Sequence, residues 1–190
     1  MNRNEFLKRS AGSALVTMPL LGGLASPALG SAQANASTLN DAGVGTYTDP
    51  SVANQISNFT INRCMISCGV GTITAGNFSG PFAMLMYATS IGSYLVNRSH
   101  GRIQATGRMR SITRIAGATI EDVEHDFLAI AVDTRGPAPD RFDVHFTTPF
   151  WSPGNPLCTP STVRPGWCRF GGALILDPNG NQMGEVSVAR

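Results

Sequence analysis

Strict alternation of apolar and polar residues marks the clearest element of this chain. Over residues 141–147, three apolar residues alternate with four polar ones, which is the period-two pattern of a strand with one buried face. Residues 123–132 end in an unbroken apolar run, which suits a strand buried on both faces. Because residues 135–140 between them are rich in glycine and proline, the sequence predicts an antiparallel hairpin.

A second hairpin is predicted near the end of the sequence. Residues 173–176 and 185–188 flank the segment 177–180, whose Asn-Gly pair favours a tight turn with positive φ. Residues 108–115 are rich in isoleucine, threonine and serine without helical spacing. They also predict a strand.

The apolar residues of segment 81–96 fall on all sides, so two structures compete there. Ser79 could cap a helix and Pro81 could open it. Gly92 and the apolar run 94–96 favour two buried strands instead. We prefer the strands.

These elements predict a single all-β domain over residues 59–190, built as an antiparallel β-sandwich or a small β-barrel. The hairpin at 129–146 is loosely similar to those of secreted bacterial β-sandwich modules. The 190 residues are 42% hydrophobic and 14% charged, which is enough apolar material for a core. Residues 35–58, mostly small and polar, are predicted to form a flexible N-terminal segment.

The first 34 residues have the pattern of an export signal. A basic start is followed by a short apolar stretch over 11–25, and Ala32-Gln33-Ala34 fits the small-x-small rule for cleavage. The alternative is an N-terminal membrane anchor, but the apolar stretch is shorter than the ~18 residues that a span needs and is interrupted by proline and glycine. We therefore expect an exported protein, periplasmic or extracellular, with no membrane span in the mature chain.

The segment 2–8, Asn-Arg-Asn-Glu-Phe-Leu-Lys, resembles a twin-arginine export signal. In that family two arginines precede any residue and then Phe-Leu-Lys. Asn4 stands here where the second arginine belongs. The resemblance implies that the protein crosses the membrane already folded.

Removing residues 1–34 changes the charge balance. The whole chain has 14 basic and 12 acidic side chains, and cleavage would leave eleven of each. Zero net charge gives no reason to expect nucleic acid or an anionic membrane as a partner. Lys8 is the only lysine, so lysine-based nucleophiles and Schiff bases are excluded from the mature domain.

Charges of opposite sign occur in consecutive blocks. Residues 98–114 hold five arginines, and residues 121–143 hold seven acids. Because consecutive strands usually pair, we expect cross-strand ion pairs on a solvated face. The alternative is an anion-binding arginine row or a carboxylate cation site. The acids are Glu121, Asp122, Glu124, Asp126, Asp133, Asp140 and Asp143, and the arginines are Arg98, Arg102, Arg108, Arg110 and Arg114.

The histidines give no metal-site signature. If the 135–140 loop closes its hairpin symmetrically, His145 lies opposite Ile130 or Ala131, about 16–20 Å from His125. That separation is too large for one ion, so we predict neither a metal nor another cofactor. His125 is expected at a strand end, bonded to a neighbouring acid.

Four cysteines in an exported chain predict two disulfides. Cys158 and Cys168 flank a segment of turn formers and favour a local bridge. Cys64 and Cys68 would lie about 13 Å apart in an extended strand, beyond the ~7 Å limit between Cα atoms. They pair with each other only across a turn, and otherwise each pairs with one of the later cysteines. A metal–thiolate site is disfavoured by the oxidising environment and the spacing.

The most unusual segment is the loop over residues 149–172. It holds both tryptophans, Trp151 and Trp167, with Arg164, Arg169 and five of the twelve prolines. Aromatic faces and arginine can stack on a carbohydrate or grip a protein. The alternative is a loop that buries its tryptophans as core.

Two functions remain open on these patterns. The leading hypothesis is a non-catalytic exported β domain that binds a ligand or partner through the 149–172 loop. The alternative is an exported enzyme that uses the acids and histidines of residues 121–145, with or without a metal. No catalytic residues are assigned.

Overall fold

Almost every regular element of the described chain is a β-strand. The computed structural model of the protein describes residues 41–49, 55–62, 73–77 and 82–189. A short 3₁₀ turn, Arg98–His100, joins the fourth strand to the fifth. The strands are β1 (Ala42–Asp49), β2 (Gln55–Ile61), β3 (Ile73–Asn77), β4 (Phe82–Asn97), β5 (Arg102–Ile115), β6 (Ala118–Val132), β7 (Arg141–Phe146), β8 (Thr159–Pro160), β9 (Cys168–Ala173) and β10 (Gly184–Ser187).

The strands form one antiparallel sheet in the order β10-β1-β2-β3-β4-β5-β6-β7-β9-β8. The sheet curls until β1 meets the chain just after β9. There Tyr47 bridges Leu174, and the Ile175 N–H donates to the Thr46 carbonyl at 3.0 Å. Opposite walls pack against each other, since Phe59 of β2 stacks on Phe142 of β7 with centroids 4.3 Å apart. The predicted all-β class is confirmed, with the layers of a sandwich and the closure of a barrel.

The segment 81–96 is extended, as preferred over a helix, but β4 runs through it as one strand. Its pairing with β5 slips between Ala88 and Ser90 and again between Ile91 and Ser93. Bulges of this kind add a residue to one strand and bend it without ending it. The residues that suggested a break between two strands therefore mark a bend within one. Pro81 and Ser79 lie outside the described residues.

The hairpin of β6 and β7 is confirmed, but its predicted register was wrong by two or three residues. His145 lies opposite Leu128. The loop begins at Asp133, whose carboxylate accepts the Arg135 N–H at 3.0 Å, while Asp140 accepts the Thr134 N–H at 3.0 Å. Carboxylate caps at both ends lengthen the loop beyond its glycine and proline residues.

The expectation of little structure over residues 35–58 does not hold for β1 and the start of β2. β1 pairs with β2 on one side and β10 on the other. Its Gly45 permits close packing, since an added Cβ would lie 2.8 Å from the Leu174 side chain and 3.1 Å from the Phe59 ring. The described sheet thus begins at Ala42, before the predicted boundary at residue 59. The predicted signal, residues 1–34, lies outside the described residues.

The turn over residues 177–180 is present, although the strands around it separate. The Asp177 carboxylate accepts the backbone N–H groups of Asn179 and Asn181, both at 2.8 Å, and Gly180 has a φ of +85°. The hairpin consists of little more than a bridge between Leu176 and Gln182. β10 then leaves to pair with β1.

One predicted disulfide is present. Cys158 and Cys168 are bonded, with their Cα atoms 5.3 Å apart. Cys64 and Cys68 fall outside the described residues. Within the described ranges, no helix has the length and apolar character to cross a membrane.

Candidate functional site

The two tryptophans of the 149–172 loop occupy different environments. Trp151 is fully buried, and its indole N–H donates to Thr113 Oγ1 at 2.9 Å. Its ring meets Phe82, Phe150 and Phe170 edge to face at 4.7–5.7 Å. Trp151 is thus part of the core, as the alternative for this loop proposed, and offers no surface to a ligand.

The outer part of the loop, Ser161–Trp167, forms a hydrogen-bonded tip. Ser161 Oγ accepts the backbone N–H groups of Val163 and Arg164 at 3.3 and 2.8 Å. The backbone adds bonds from Ser161 N–H to the Trp167 carbonyl at 2.8 Å and from Trp167 N–H to the Arg164 carbonyl at 3.1 Å. The Cys158–Cys168 disulfide closes the base. These hydrogen bonds and the disulfide constrain the backbone of the tip.

The two arginines of the loop, Arg164 and Arg169, also differ in their environments. Arg169 lies on β9, and its Nε donates to Asp143 Oδ1 at 2.7 Å, so it ties β9 to β7. Arg164 is exposed, and its guanidinium carbon lies 5.4 Å from the centroid of the partly exposed Trp167 ring. Among the described residues, no ion pair joins Arg164 to a carboxylate.

His145 supports the tip from below. Its Nδ1 lies 2.9 Å from Ser161 Oγ. That oxygen already accepts two backbone N–H groups, so its own hydrogen is directed to the imidazole. Burial lowers the pKa of His145 to about 4, with Asp143 acting in the opposite direction and Arg169 in the same direction. The neutral imidazole therefore accepts from Ser161 and links β7 to the tip.

The predicted cross-strand ion pairs are confirmed on the outer face of β5 and β6. Arg108 contacts Asp126 at 3.0 Å and Glu124 at 3.6 Å. Arg110 makes two bonds to Asp122, at 2.6 and 2.8 Å, and this contact lowers the pKa of Asp122. These arginines are committed to carboxylates, so they do not form an open anion-binding row.

The acids and histidines of residues 121–145 do not converge. Asp122, Glu124 and Asp126 point outward, whereas Glu121 and His125 are buried on the inner face. Because Leu128 pairs with His145, the two histidines occupy opposite faces of the sheet. Within the described ranges, no group of three His, Cys, Asp or Glu side chains is placed to hold a metal ion.

Two details of the histidine prediction were wrong. The predicted distance between His125 and His145 was based on a strand register that the structure does not have. The two histidines are kept apart because they lie on opposite faces of the sheet. His125 also lies within β6 rather than at its end, and its Nδ1 is 3.0 Å from the Asp126 carbonyl oxygen. Its partner is thus the backbone of the next residue and not an acidic side chain.

Sequence reasoning missed a set of buried polar residues. Ser111 and Thr113 of β5 and Glu121 and His125 of β6 are at most 7% exposed. All four have odd numbers, as do the buried Met109 and Phe127 of the same strands. Because alternate residues of a strand face the same side, this agreement could have predicted that they are buried. Alternation alone does not show which set of alternate residues faces inward when both sets include polar residues.

The inner part of the loop, residues 149–157, bonds to this set through Phe150 and Trp151 and also lines a shallow concavity. The concavity has a volume of about 510 Å³ and is lined by loop residues that include Phe150 and Leu157. Comparison of the chain with protein-family models, with curated proteins and with solved structures finds no match. The functional argument therefore rests on this chain's own residues.

Proposed function

We propose that this chain is an exported, non-catalytic binding domain whose contact surface is the tip Ser161–Trp167. The observation that carries the proposal is the combination of a constrained backbone with outward-facing side chains. Ser161 Oγ and the disulfide hold the tip, so little conformational entropy is lost when a partner binds. Arg164 and Val163 remain exposed at its surface.

The chemistry of the tip favours a protein partner that presents a carboxylate. Arg164 covers one face of the Trp167 ring, and that ring also packs against the core, so an open platform for a sugar is not offered. Val163 is 48% exposed. Arginine and tryptophan are both enriched among the hot-spot residues of protein–protein interfaces. An arginine without an acidic partner in the described chain is ready to bind one.

Export is the second part of the proposal. The signal-like residues 1–34 support it, and so does the Cys158–Cys168 disulfide, since such bonds persist in oxidising compartments. The alternative, an exported enzyme, receives less support because the described acids and histidines separate onto two faces of the sheet.

A photo-crosslinking amino acid at position 163 tests the proposed surface in cells that export the protein. We expect a discrete protein adduct at this position and none with the same probe at Asn179, an exposed turn residue. Arg164→Glu should weaken adduct formation by about tenfold or more, while Arg114→Glu, at another exposed arginine, should not. Equal adducts at both probe positions, or indifference to Arg164→Glu, would refute the surface. Binding to acidic glycans instead of a protein would replace the proposed partner class.

A further inference from the structure

A second concavity lies where β4 turns into β5. It has a volume of about 480 Å³, and its lining includes Leu95, Asn97, Arg102 and Gln104. Asn97 lies directly opposite Arg102 in the strand ladder, and Leu95 lies directly opposite Gln104. Ile103, between the two polar residues of β5, is fully buried, so its neighbours face outward. Because side chains directly opposite each other have Cβ atoms about 4.5–5.5 Å apart, these four form one contiguous group on the outer face.

The polar side chains of this group have unused hydrogen-bond donors. The Arg102 guanidinium makes one long bond, from Nη2 to Gln104 Oε1 at 3.4 Å, and its Nε has no partner in the described chain. Gln104 accepts that bond, so its amide nitrogen is the donor that remains. Asn97 Oδ1 accepts the His100 N–H at 3.2 Å and the Ser99 hydroxyl at 2.8 Å, which leaves the Asn97 amide nitrogen as a donor as well.

The positive charge of Arg102 is not compensated within the described residues. No ion pair joins Arg102 to a carboxylate there, whereas Arg98, which also lines the concavity, contacts Asp41 at 2.6 Å. None of the described residues that line the concavity is acidic. Asp143, two strands away on the same face, is bonded to Arg169 at 2.7 Å. A cationic group surrounded by donors and without a carboxylate favours an anion.

Leu95 gives the concavity an apolar side. Its side chain is 60% exposed, the largest fraction among the exposed large hydrophobic residues of the described chain. A single exposed leucine is ordinary in itself, but this one lies opposite Gln104 and two residues from Asn97. A ligand with an anionic group and a short apolar chain would contact both kinds of surface, whereas an inorganic anion would leave Leu95 in water.

We propose that this concavity binds a small aliphatic carboxylate, with Arg102 holding the carboxylate and Leu95 contacting the chain. The planar guanidinium fits the two oxygens of a carboxylate. The amide nitrogens of Asn97 and Gln104 supply further donors. The bonds to Asn97 Oδ1 and the ion pair between Arg98 and Asp41 fix the turn between the strands, so the donors are positioned before a ligand binds.

This site is separate from the tip Ser161–Trp167. The strand ladder connects Arg102, through β6 and β7, to Ala173, the last residue of β9. The tip joins β9 at its first residue, Cys168. The two surfaces therefore lie toward opposite ends of the strands, and one can be lost without the other.

An NMR titration of the mature, oxidised protein with sodium hexanoate tests the site, with hexanamide and sodium phosphate as matched probes. We expect hexanoate to shift the backbone amide resonances of Ser99 and Arg102 saturably, and the other two probes to leave them unshifted. Arg102→Gln should weaken hexanoate binding about tenfold or more, as expected for loss of a charged hydrogen bond. Arg114→Gln, the same change at an exposed arginine of β5 outside the concavity, should leave the dissociation constant unaltered.

Leu95→Ser keeps the proposal testable if Arg102→Gln fails to fold, because Leu95 is exposed. We expect it to weaken hexanoate binding several-fold, since less apolar surface is then buried, and to leave the affinity for acetate unaltered. Equal binding of hexanoate and hexanamide would overturn the proposal, and so would hexanoate binding that neither variant weakens. Saturable binding of phosphate that hexanoate does not displace would also overturn it.

Discussion

The two ends of the β5–β6 inner face are equally buried but chemically opposite. The apolar half consists of Ile103, Ala105, Ala129 and Ala131, all 0% exposed. The polar half consists of Ser111, Thr113, Glu121 and His125, at most 7% exposed. Both halves lie on the same pair of strands with the same alternation. Burial here follows from strand geometry, whereas the chemistry of each half follows from what covers it.

The neighbours of the two halves differ in the same way. β7 lies beside the apolar half, with Val144 opposite Ala129 and Phe142 opposite Ala131. The polar half is covered by the loop after β7, whose Phe150 and Trp151 donate hydrogen bonds. The apolar half therefore continues the packed core, whereas the polar half bonds the loop to the sheet.

The largest expected effect comes from truncating a core ring of β7 that lies beside the apolar half. Phe142→Ala removes a fully buried ring that stacks on Phe59 at 4.3 Å and contacts Tyr47 at 5.9 Å. It should lower the free energy of unfolding by about 3–5 kcal/mol, measured by denaturant titration. A loss below about 1 kcal/mol would contradict the position of this ring in the packed core.

A fall in pH should have the next largest effect, because the polar half contains two titratable residues, Glu121 and His125, and the apolar half contains none. Burial lowers the pKa of His125 below 6.5 and that of His145 on the outer face to about 4. Below pH 6.5 the unfolded chain binds protons that the folded chain refuses, so stability should fall as the pH drops toward 4. Unfolding curves across this range should show the loss, and His125→Gln should make it shallower. An unchanged slope would mean that His125 is not held neutral by burial.

Two hydroxyls of the polar half should respond with opposite sign. Thr113→Val leaves the buried Trp151 indole N–H without its 2.9 Å acceptor and should cost about 1–2 kcal/mol. Ser111→Ala removes an oxygen with no partner in the described chain and should raise stability by up to about 1 kcal/mol. Both free energies of unfolding are measured by denaturant titration. A change of the same sign in the two variants would contradict the distinction between the bonded and the unbonded hydroxyl.

The outer face should give the smallest effect. Arg110→Ala breaks an exposed contact with Asp122 and should lower the melting temperature only slightly, by an amount that decreases as salt is added. Thermal melts at low and high ionic strength measure this. A larger, salt-independent loss would show that the pair supports the interior beneath it.

The sequence was informative where one physical effect dominates. Alternation over 141–147 predicted β7, and opposite charge on consecutive segments predicted the Arg108 and Arg110 ion pairs. β1 was missed because its own residues show little hydrophobic pattern. At Gly45 the space for a side chain is filled instead by Leu174 and Phe59 from other parts of the chain.

The register of the β6–β7 hairpin and the polar half depended on less local information. Asp133 caps the loop through its own carboxylate, and a strand pattern does not distinguish that role from a surface charge. Glu121 and His125 alternate with Asp122 and Asp126, so polarity alone could not tell the buried phase from the exposed one. Which of these residues are buried depends on the loop at Phe150 and Trp151, which lies far along the sequence.

The pairing of β1 with β10 sets a constraint on the timing of biosynthesis. The Ala189 N–H donates to the Asp41 carboxylate across 148 residues, and β10 covers the free edge of β1. A ribosome therefore has to release the residues of β10 before the first described strand finds this neighbour. Until then the nascent sheet has an open edge that can pair with other chains. This closure has to wait for the synthesis of β10, and a factor that shields the unfinished edge would act in that interval.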